Sequence, residues 1–472
     1  MPAGETVSRG ILSYGAYLPF RRLDRSEIAA VAGTGGGKGT RTVASYDEDT
    51  TTMGVAAARR ALAAAPDGAA PLSLWFATTS PAYLDKTNAT AIHAALRLDT
   101  EVGAFDLNGA VRSVVGAWRA ALGSGAPALV VASDMRTGLP GSPDEATGGD
   151  GASALLVGTA ADGPLLAEEI GAASVTEEFL DRWRTPGDVR SKVWEPRFGE
   201  SRYVTLGAKA WDHALKSAGL VADQVDTVIV AGSHARAAVS LAAKLGVGDR
   251  LADGLESTVG FTGAAHPGLL LARVLDAAAA GQVIALVVLA DGADVTLLRI
   301  TATLTGADGR SATTVADQIA AGGLLPYGKA LAWRGYLPVE PPRRPEPPRP
   351  SASAAGRSGD WKFGFVGSQG GDGTVHLPPA PADDEPRPMA DARGTIVTYT
   401  VDTLAYSPSP PVVFAVVDFD GGGRLPVELT DVDAADVAVG GRVEMTFRKL
   451  FTADGIHNYF WKARPVRSGR GS

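Results

Sequence analysis

The apolar stretch ALVVAS at residues 128–133 returns as ALVVLAD at residues 285–291, and this repetition decides the fold. Each copy follows an Ala-rich helical pattern and precedes a further apolar strand. The paired segments are helices 53–65 and 206–218, strands 72–77 and 225–231, helices 110–122 and 267–280, the two strands quoted, and strands 152–157 and 295–300. Continuous apolar strands that alternate with helices are typical of parallel sheets buried inside α/β units.

The sequence therefore predicts an internally duplicated, layered α/β domain followed by smaller segments. Its halves are placed at residues 1–162 and 163–336. The run PVEPPRRPEPPRPSASAAGRSG at 338–359 has no apolar period and favours extended polyproline geometry. It predicts a semi-rigid linker over residues 337–360.

The remaining chain carries strand signals with little helical pattern. Short strands rich in β-branched and aromatic residues, punctuated by Gly, predict a small antiparallel barrel over residues 394–472. The strand signals lie at 394–400, 412–418, 424–429, 442–447 and 459–463. The stretch 361–393 before them is treated as a separate small segment.

Composition limits the class of protein. The 472 residues are 45% hydrophobic and 20% charged, which excludes wholesale disorder. Lys and Arg number 44 against 52 Asp and Glu, a net charge of −8, so nucleic acid and anionic membrane are not expected partners. The first 20 residues have neither a signal-peptide core nor a membrane span, and a cytoplasmic location is expected.

The chain contains no cysteine. Disulfides, Cys-ligated zinc and thiolate nucleophiles are all excluded by this single count.

An acidic triplet, Asp47, Glu48 and Asp49, stands directly before the first helical pattern. Acidic side chains favour the N-terminal end of the helix dipole, and Asp49 or Thr50 can cap the helix. The triplet is predicted to cap the helix rather than to bind a metal.

Six segments, in order along the chain, resemble hydroxymethylglutaryl-CoA synthases, a branch of the thiolase superfamily, over residues 8–336. They are GKGTRTVASYDEDTTTMGVAAARRAL at 37–62, YLDKTNA at 83–89, AFDLNGAVRS at 104–113, GGDGASALLVG at 148–158, AGSHARAA at 231–238 and VGFTGAAHPGLLLA at 259–272. The resemblance implies a thiolase-like fold with α/β/α/β/α layers, similar also to ketoacyl synthase III, and an acyl-CoA or acyl-carrier ligand. It also implies a homodimer.

The segment WKFGFVGSQGGDGTVHLPP at 361–379, with the strands after it, resembles DUF35 proteins, which combine a zinc ribbon with an OB-fold. Such proteins typically accompany thiolases as separate subunits. The resemblance therefore implies a fusion of the two, and a complex with a separate thiolase or condensing enzyme.

The resemblance also locates chemistry that this chain has lost. Condensing enzymes acylate a Cys, and in the matching motif Asp106 and Ala110 are retained while Val111 occupies the Cys position. Pro81 stands where the general acid/base Glu is expected. Neither valine nor proline can perform that chemistry.

Two further positions complete the comparison. Phe261 replaces the Asn that positions the acyl oxygen, and only the family's His is kept, as His234. Val111, His234, Phe261 and Gly263 are the candidate acyl or coenzyme A pocket. For His234 a steric role and a role in ligand contact or unusual chemistry both stay open.

The ribbon has lost its ligands in the same way. The first expected Cys pair falls on Gln369 and Asp372. His376, Asp383 and Asp384 have no recognised ligand spacing, and no metal is expected.

Two functional hypotheses follow. The first is a non-catalytic synthase-like chain, a pseudoenzyme, that scaffolds a partner thiolase or condensing enzyme in a multienzyme complex and helps to hold or channel an acyl thioester. The second is a thiol-free enzyme that forms or cleaves C–C bonds, for example by retro-aldol cleavage, with His234 or His266 as base. No cofactor is expected beyond coenzyme A or an acyl carrier as ligand.

Overall fold

The computed structural model describes residues 7–302, 312–340, 342–380 and 384–467. Two α/β halves come first in the chain. The elements of the first half are β1 Arg9–Tyr17, β2 Arg21–Asp24, α1 Ser26–Ala32, β3 Thr40–Val43, α2 Thr50–Ala63, β4 Ser73–Thr78, α3 Ala89–Ala95, β5 Gly103–Asn108, α4 Ser113–Gly123, β6 Ala128–Met135, α5 Pro143–Thr147 and β7 Asp150–Thr159. Those of the second half are β8 Ala167–Val175, β9 Arg182–Trp183, β10 Lys192–Val193, α6 Pro196–Ala218, β11 Thr227–Gly232, α7 Ala235–Leu245, α8 His266–Leu275, β12 Val283–Leu289, β13 Ala293–Ile300, α9 Val315–Ala320, β14 Gly323–Leu324 and α10 Tyr327–Trp333.

The strands of both halves join into one nine-stranded sheet, ordered β11-β12-β13-β8-β1-β7-β6-β4-β5. The halves meet where β1 pairs with β8 through only two residue pairs, Gly10 with Glu168 and Ile11 with Ala167. This short pairing is where the strands of the two halves become one continuous sheet.

Three hydrophobic clusters show the predicted layers. One packs α2 on the outer face of the first half, another packs α4 and α8 between the halves, and the third packs α6 and α7 on the outer face of the second half. The α/β/α/β/α prediction is confirmed by this arrangement. None of the helices in the described ranges is long and apolar enough to cross a bilayer.

Strand pairing is mixed, whereas the sequence pattern predicted parallel pairing. β4 pairs with β5 and β6 in parallel, as does β11 with β12, but β6–β7 and β12–β13 are antiparallel. The second exception is a hairpin whose turn is Asp291-Gly292, both at positive φ. Asp-Gly between apolar runs is a strong hairpin signal, and it outweighs the α/β pattern here.

Helix ends follow their caps. Asp49 caps α2 by accepting from the backbone N–H of Thr52, which confirms the capping prediction for this residue. α6 begins at Pro196, ten residues before the predicted start at 206, because proline fits the first turn of a helix.

The predicted linker contains short helices, α11 Ala352–Arg357 and α12 Gly359–Lys362, where extended geometry was expected. Ser351 caps α11 by accepting from the backbone N–H of Ala354. The Ala- and Ser-containing end of the run therefore folds locally, since it lacks the prolines of its first part. A three-stranded sheet follows, made of β15 Val366–Gln369, β16 Val375–His376 and β17 Glu385–Pro388.

The C-terminal region is a closed five-stranded barrel, as predicted. Its strands are β18 Arg393–Asp402, β19 Val412–Phe419, β20 Arg424–Leu429, β21 Arg442–Ala453 and β22 Ile456–Pro465. Closure is not wholly antiparallel, because β20 meets β22 in parallel at Leu429 and Ala463.

The barrel docks against the first half of the α/β domain. Apolar residues of α2 and of the barrel belong to one contiguous core. Arg59 of α2 donates to the carbonyls of Met445 and Ala390 at 2.9 and 2.6 Å. The barrel is therefore a packed part of the molecule rather than a tethered module.

Candidate functional site

A cleft of about 470 Å³ opens between the two halves. Pro81 and Val111, both singled out by the sequence, line it together. Its opposite side carries Tyr203, Ser233 and Asp291 from the second half. The cleft is thus open at the two positions where the catalytic Cys and Glu are expected.

Val111 lies in the turn before α4, half-buried against the central core. The first helical N–H groups are already engaged, since Ser113 N donates to the Ala110 carbonyl at 3.1 Å. The next residue, Arg112, binds Asp294 through Nε and Oδ2 at 2.7 Å. This site offers an apolar surface to a ligand and no nucleophile.

Pro81 follows a strand end fixed by Asp134, a fully buried carboxylate that the sequence analysis did not single out. Thr78, Thr79 and Ser80 donate their hydroxyls to Asp134 at 2.9, 2.9 and 3.1 Å. Asp134 also accepts from the backbone N–H groups of Thr79 and Ala264, both at 2.7 Å. One carboxylate therefore ties the Pro81 segment to the Gly263 turn.

Gly263 has φ +57°, and a Cβ there would lie 1.9 Å from Oδ2 of Asp134. Phe261, two residues earlier, places its ring 5.6 Å from the guanidinium carbon of Arg136, which lines the cleft. The Phe261 ring also lies 5.0 Å from the imidazole of His266. Of the predicted pocket, Val111 lines the cleft, whereas Phe261 and Gly263 lie behind its wall, with Phe261 touching the lining residue Arg136.

His234 has both ring nitrogens engaged. As N-cap of α7, its Nδ1 accepts from the Ala237 backbone N–H at 3.2 Å, and Nε2 lies 2.7 Å from the Pro196 carbonyl, which requires the Nε2–H tautomer. Its ring is 6.4 Å from the ring of Tyr203 in the cleft. This geometry favours a structural role for His234, because no lone pair is free to take a proton.

His266 is buried at the start of α8. Its Nδ1 lies 3.2 Å from the Thr262 hydroxyl, and burial lowers the pKa of His266 to about 4. It is therefore neutral near pH 7 and packs beside Phe261.

The ribbon segment keeps its turn with hydrogen bonds. Asp372 Oδ1 accepts from the Thr374 backbone N–H at 2.9 Å, and Gln369 Nε2 donates to the Gly373 carbonyl at 3.4 Å. His376 and Asp384 lie 3.8 Å apart, while Asp383 falls outside the described residues. Within the part of the chain that the structure describes, no group of three or more potential ligands could hold a metal ion.

Comparison with solved structures defines the class. The structure of HMG-CoA synthase complexed with CoA matches with a TM-score of 0.58 and 17% identity, covering 68% of this chain and 89% of that one. That of 3-oxoacyl-(acyl carrier protein) synthase III from Pseudomonas aeruginosa matches at 0.54 and 20%, covering 62% and 98%. The α/β domain has the thiolase-like fold of condensing enzymes.

Sequence comparison gives the family. The hydroxymethylglutaryl-CoA synthase of Aeropyrum pernix is 32% identical over 296 residues, which cover 58% of this chain and 80% of that protein. The Thermococcus sibiricus synthase is 34% identical over 216 residues, and the match spans 59% of its length. A family model of the C-terminal OB-fold domain of ChsH2 matches residues 386–448. The chain belongs to the hydroxymethylglutaryl-CoA synthase family and carries a fused OB-fold domain.

Proposed function

We propose that this chain is a non-catalytic member of its family that holds an acyl thioester in the cleft and serves a separate thiolase or condensing enzyme as a scaffold. The observation that carries the proposal is the open cleft of about 470 Å³ lined by Val111 and Pro81. A pocket that persists beside side chains unable to form an acyl-enzyme suits ligand holding better than acyl transfer.

Assembly is part of the proposal. β5 is an edge strand of the nine-stranded sheet, and Phe105 in its middle is 47% exposed. An edge strand with unpaired backbone groups favours addition of another strand. A homodimer through this edge would leave the outer surface of the barrel accessible to a thiolase. Both contacts are consistent with the partners expected from the family resemblance.

The full chain is expected to take no acyl group from acetyl-CoA and to form no product from acetyl-CoA and acetoacetyl-CoA, because Val111 and Pro81 cannot carry out either step. Intact mass and a condensation assay check these outcomes. The separately encoded thiolase is expected to copurify with the chain. Condensation by the chain alone would overturn the proposal.

A single-cysteine variant makes the test sharper. Since the chain has no cysteine, Val111→Cys introduces its only thiol. A thiol reagent is expected to label this variant, and acetyl-CoA is expected to slow the labelling. Ala117→Cys, on the buried face of the same helix, is the matched control and should stay unlabelled in the folded protein. Labelling that acetyl-CoA does not slow would contradict thioester binding in the cleft.

A second candidate is thiol-free C–C bond cleavage, favoured by one observation. The residues that line the cleft from the second half include Asp291, Tyr203 and Ser233. A carboxylate there can take the proton of a β-hydroxyl group. The Cα–Cβ bond then breaks, its electrons form the thioester enolate, a carbonyl compound leaves, and the enolate regains a proton at Cα.

This candidate makes Asp291 the base instead of His234. With 3-hydroxy-3-methylglutaryl-CoA as probe, release of acetyl-CoA and acetoacetate would support cleavage. Asp291→Asn is then expected to lower kcat by about 100-fold or more, since a positioned base contributes that much. His234→Ala is expected to retain most of the activity, because its ring nitrogens are already engaged. The opposite pattern would restore His234 as the base, and no release by the unaltered chain would refute the candidate.

A further inference from the structure

A hairpin of the second half forms one wall of the cleft and reaches across to the first half. Its strands are β9 and β10, which pair through two residue pairs, Lys192 with Trp183 and Val193 with Arg182. They form a two-stranded sheet of their own, apart from the nine-stranded sheet. Residues 182–188 and 191 line the cleft. We call residues 182–193 the cleft hairpin.

The cleft hairpin is held together by its own contacts. At its tip, the backbone N–H of Asp188 donates to the Thr185 carbonyl at 3.1 Å across a Pro-Gly pair, in which the glycine has φ +90°. Pro and Gly at the two central positions are typical of a type II turn. At its base, the backbone N–H of Trp194 donates to the Asp181 carbonyl at 2.9 Å. The hairpin can therefore move as one unit about its base.

Little apolar packing holds the cleft hairpin to the rest of the molecule. None of its residues belongs to the hydrophobic clusters of the described ranges. Residues 184–190 are all exposed, and the apolar side chains of Val189 and Val193 are 60% and 47% exposed. Segments with few buried apolar contacts open more readily than the core. The hairpin is thus among the parts of the described chain that can open locally.

Polar contacts fasten the cleft hairpin to the first half. Arg182 forms a two-point ion pair with Asp144 of α5, at 2.7 and 2.8 Å. Arg184 Nη2 donates to the Thr79 carbonyl at 2.9 Å. The side chains of the ion pair are 21% and 22% exposed, so water competes with the pair and limits its strength. These contacts hold the hairpin closed but can be broken reversibly.

We propose that the cleft hairpin is a lid, latched by the Arg182–Asp144 pair, and that it opens to admit and release a thioester. The latch joins the two halves, so its release frees the wall formed by residues 182–188. A closed lid limits the access of water to a bound thioester and thereby protects it from hydrolysis. This inference rests on the proposed function, in which the cleft holds a thioester.

Limited proteolysis with trypsin tests the latch in the absence of ligand. Arg190 and Lys192 are exposed cleavage sites in the hairpin. Asp144 lies outside the residues that line the cleft, and Asp144→Asn is expected to speed cleavage of the hairpin about fivefold, the effect of a half-exposed ion pair. Asp418→Asn is the matched control, because Asp418 forms a two-point pair with Arg424 on the barrel. Equal cleavage rates in the two variants would overturn the latch.

A covalent lock tests whether the lid must open. Since the chain has no cysteine, Asp144→Cys combined with Arg182→Cys introduces its only two thiols, which a short bismaleimide can join. When they are joined after acetyl-CoA has bound, release of acetyl-CoA is expected to slow by about tenfold or more. Each single-cysteine variant, treated with the same reagent, is the control for the loss of its own side chain.

The remaining outcomes separate the lid from the proposed function. Release at an unchanged rate from the cross-linked protein would overturn the lid and leave thioester binding intact. An equal slowing in a treated single-cysteine variant would also overturn it, by assigning the effect to the reagent. Failure of the unaltered chain to bind acetyl-CoA would refute the proposed function itself.

Discussion

Arg448→Ala is expected to lower the free energy of unfolding by about 3–5 kcal/mol, the cost of breaking a buried ion pair from one side. The Arg448 side chain in β21 is fully buried. Its guanidinium reaches Glu48 of the α/β domain at 2.5 Å and Asp431 of the barrel at 2.7 Å. Removal of the cation leaves two carboxylates buried without their main partner.

The other buried cation of this network already has its own partners. Lys462 is also fully buried and lies 3.1 Å from Asp47, beside Glu428. Although burial alone would lower the pKa of Arg448, the carboxylates around it raise that pKa well above its ordinary value. Arg448 therefore carries its positive charge in the folded protein. Its replacement by alanine removes that whole charge from the buried network.

Thermal and denaturant unfolding measure the effect, and proteolysis of the 337–360 connection reports whether the barrel has left its partner surface. Arg424→Ala is the matched control, because the exposed Arg424–Asp418 pair is also an Arg–Asp contact of the barrel. Exposed pairs contribute at most about 1 kcal/mol. If the two variants were equally stable, the buried network would not be what holds the barrel in place.

The docked barrel also contacts the segment that forms one side of the cleft. The backbone N–H of His457, near the start of β22, donates to the Tyr83 hydroxyl at 2.8 Å. Tyr83 stands two residues after Pro81, which lines the cleft. Tyr459 of the same hairpin donates to Asp49, the cap of α2, at 2.7 Å. The barrel thus supports the segment that forms one side of the candidate site, so Arg448→Ala is expected to weaken ligand binding as well.

The duplicated α/β architecture and the barrel could be predicted because both depend on local apolar patterns. The acidic triplet shows where such reasoning stops. Asp49 does cap a helix, but Asp47 and Glu48 pair with Lys462 and Arg448 of the barrel. Glu48 and Arg448 are 400 residues apart, and no local pattern links them.

The candidate site divides in the same way. Pro81 and Val111 could be located because the surrounding motifs are retained, and the structure places both in one cleft. Arg136 and Arg184, which both donate to Thr79 at the cleft, belong to no motif, since they come from two segments that only the fold brings together. Asp291 carried one usable signal, because Asp-Gly between apolar runs predicts a hairpin turn.

Gly263→Ala is expected to lower the free energy of unfolding by about 3 kcal/mol, from the left-handed backbone and the disturbed hydrogen bonds of a buried carboxylate. A Cβ at this position would lie 1.9 Å from Oδ2 of Asp134. The carboxylate has no room to retreat, because it is fully buried and holds Thr78, Thr79 and Ser80. Its displacement would loosen the strand end that leads to Pro81.

Ligand binding should therefore fall together with stability, which distinguishes this variant from one that only weakens the core. Gly248→Ala is the control, since no atom lies within 4 Å of a Cβ at Gly248 and its φ is not positive. Thermal unfolding and acetyl-CoA binding are measured on all three proteins below their melting temperatures. A Gly263→Ala protein as stable as the control would show that Asp134 can move freely. A destabilised protein that binds acetyl-CoA normally would show that the Asp134 network supports the fold without shaping the cleft.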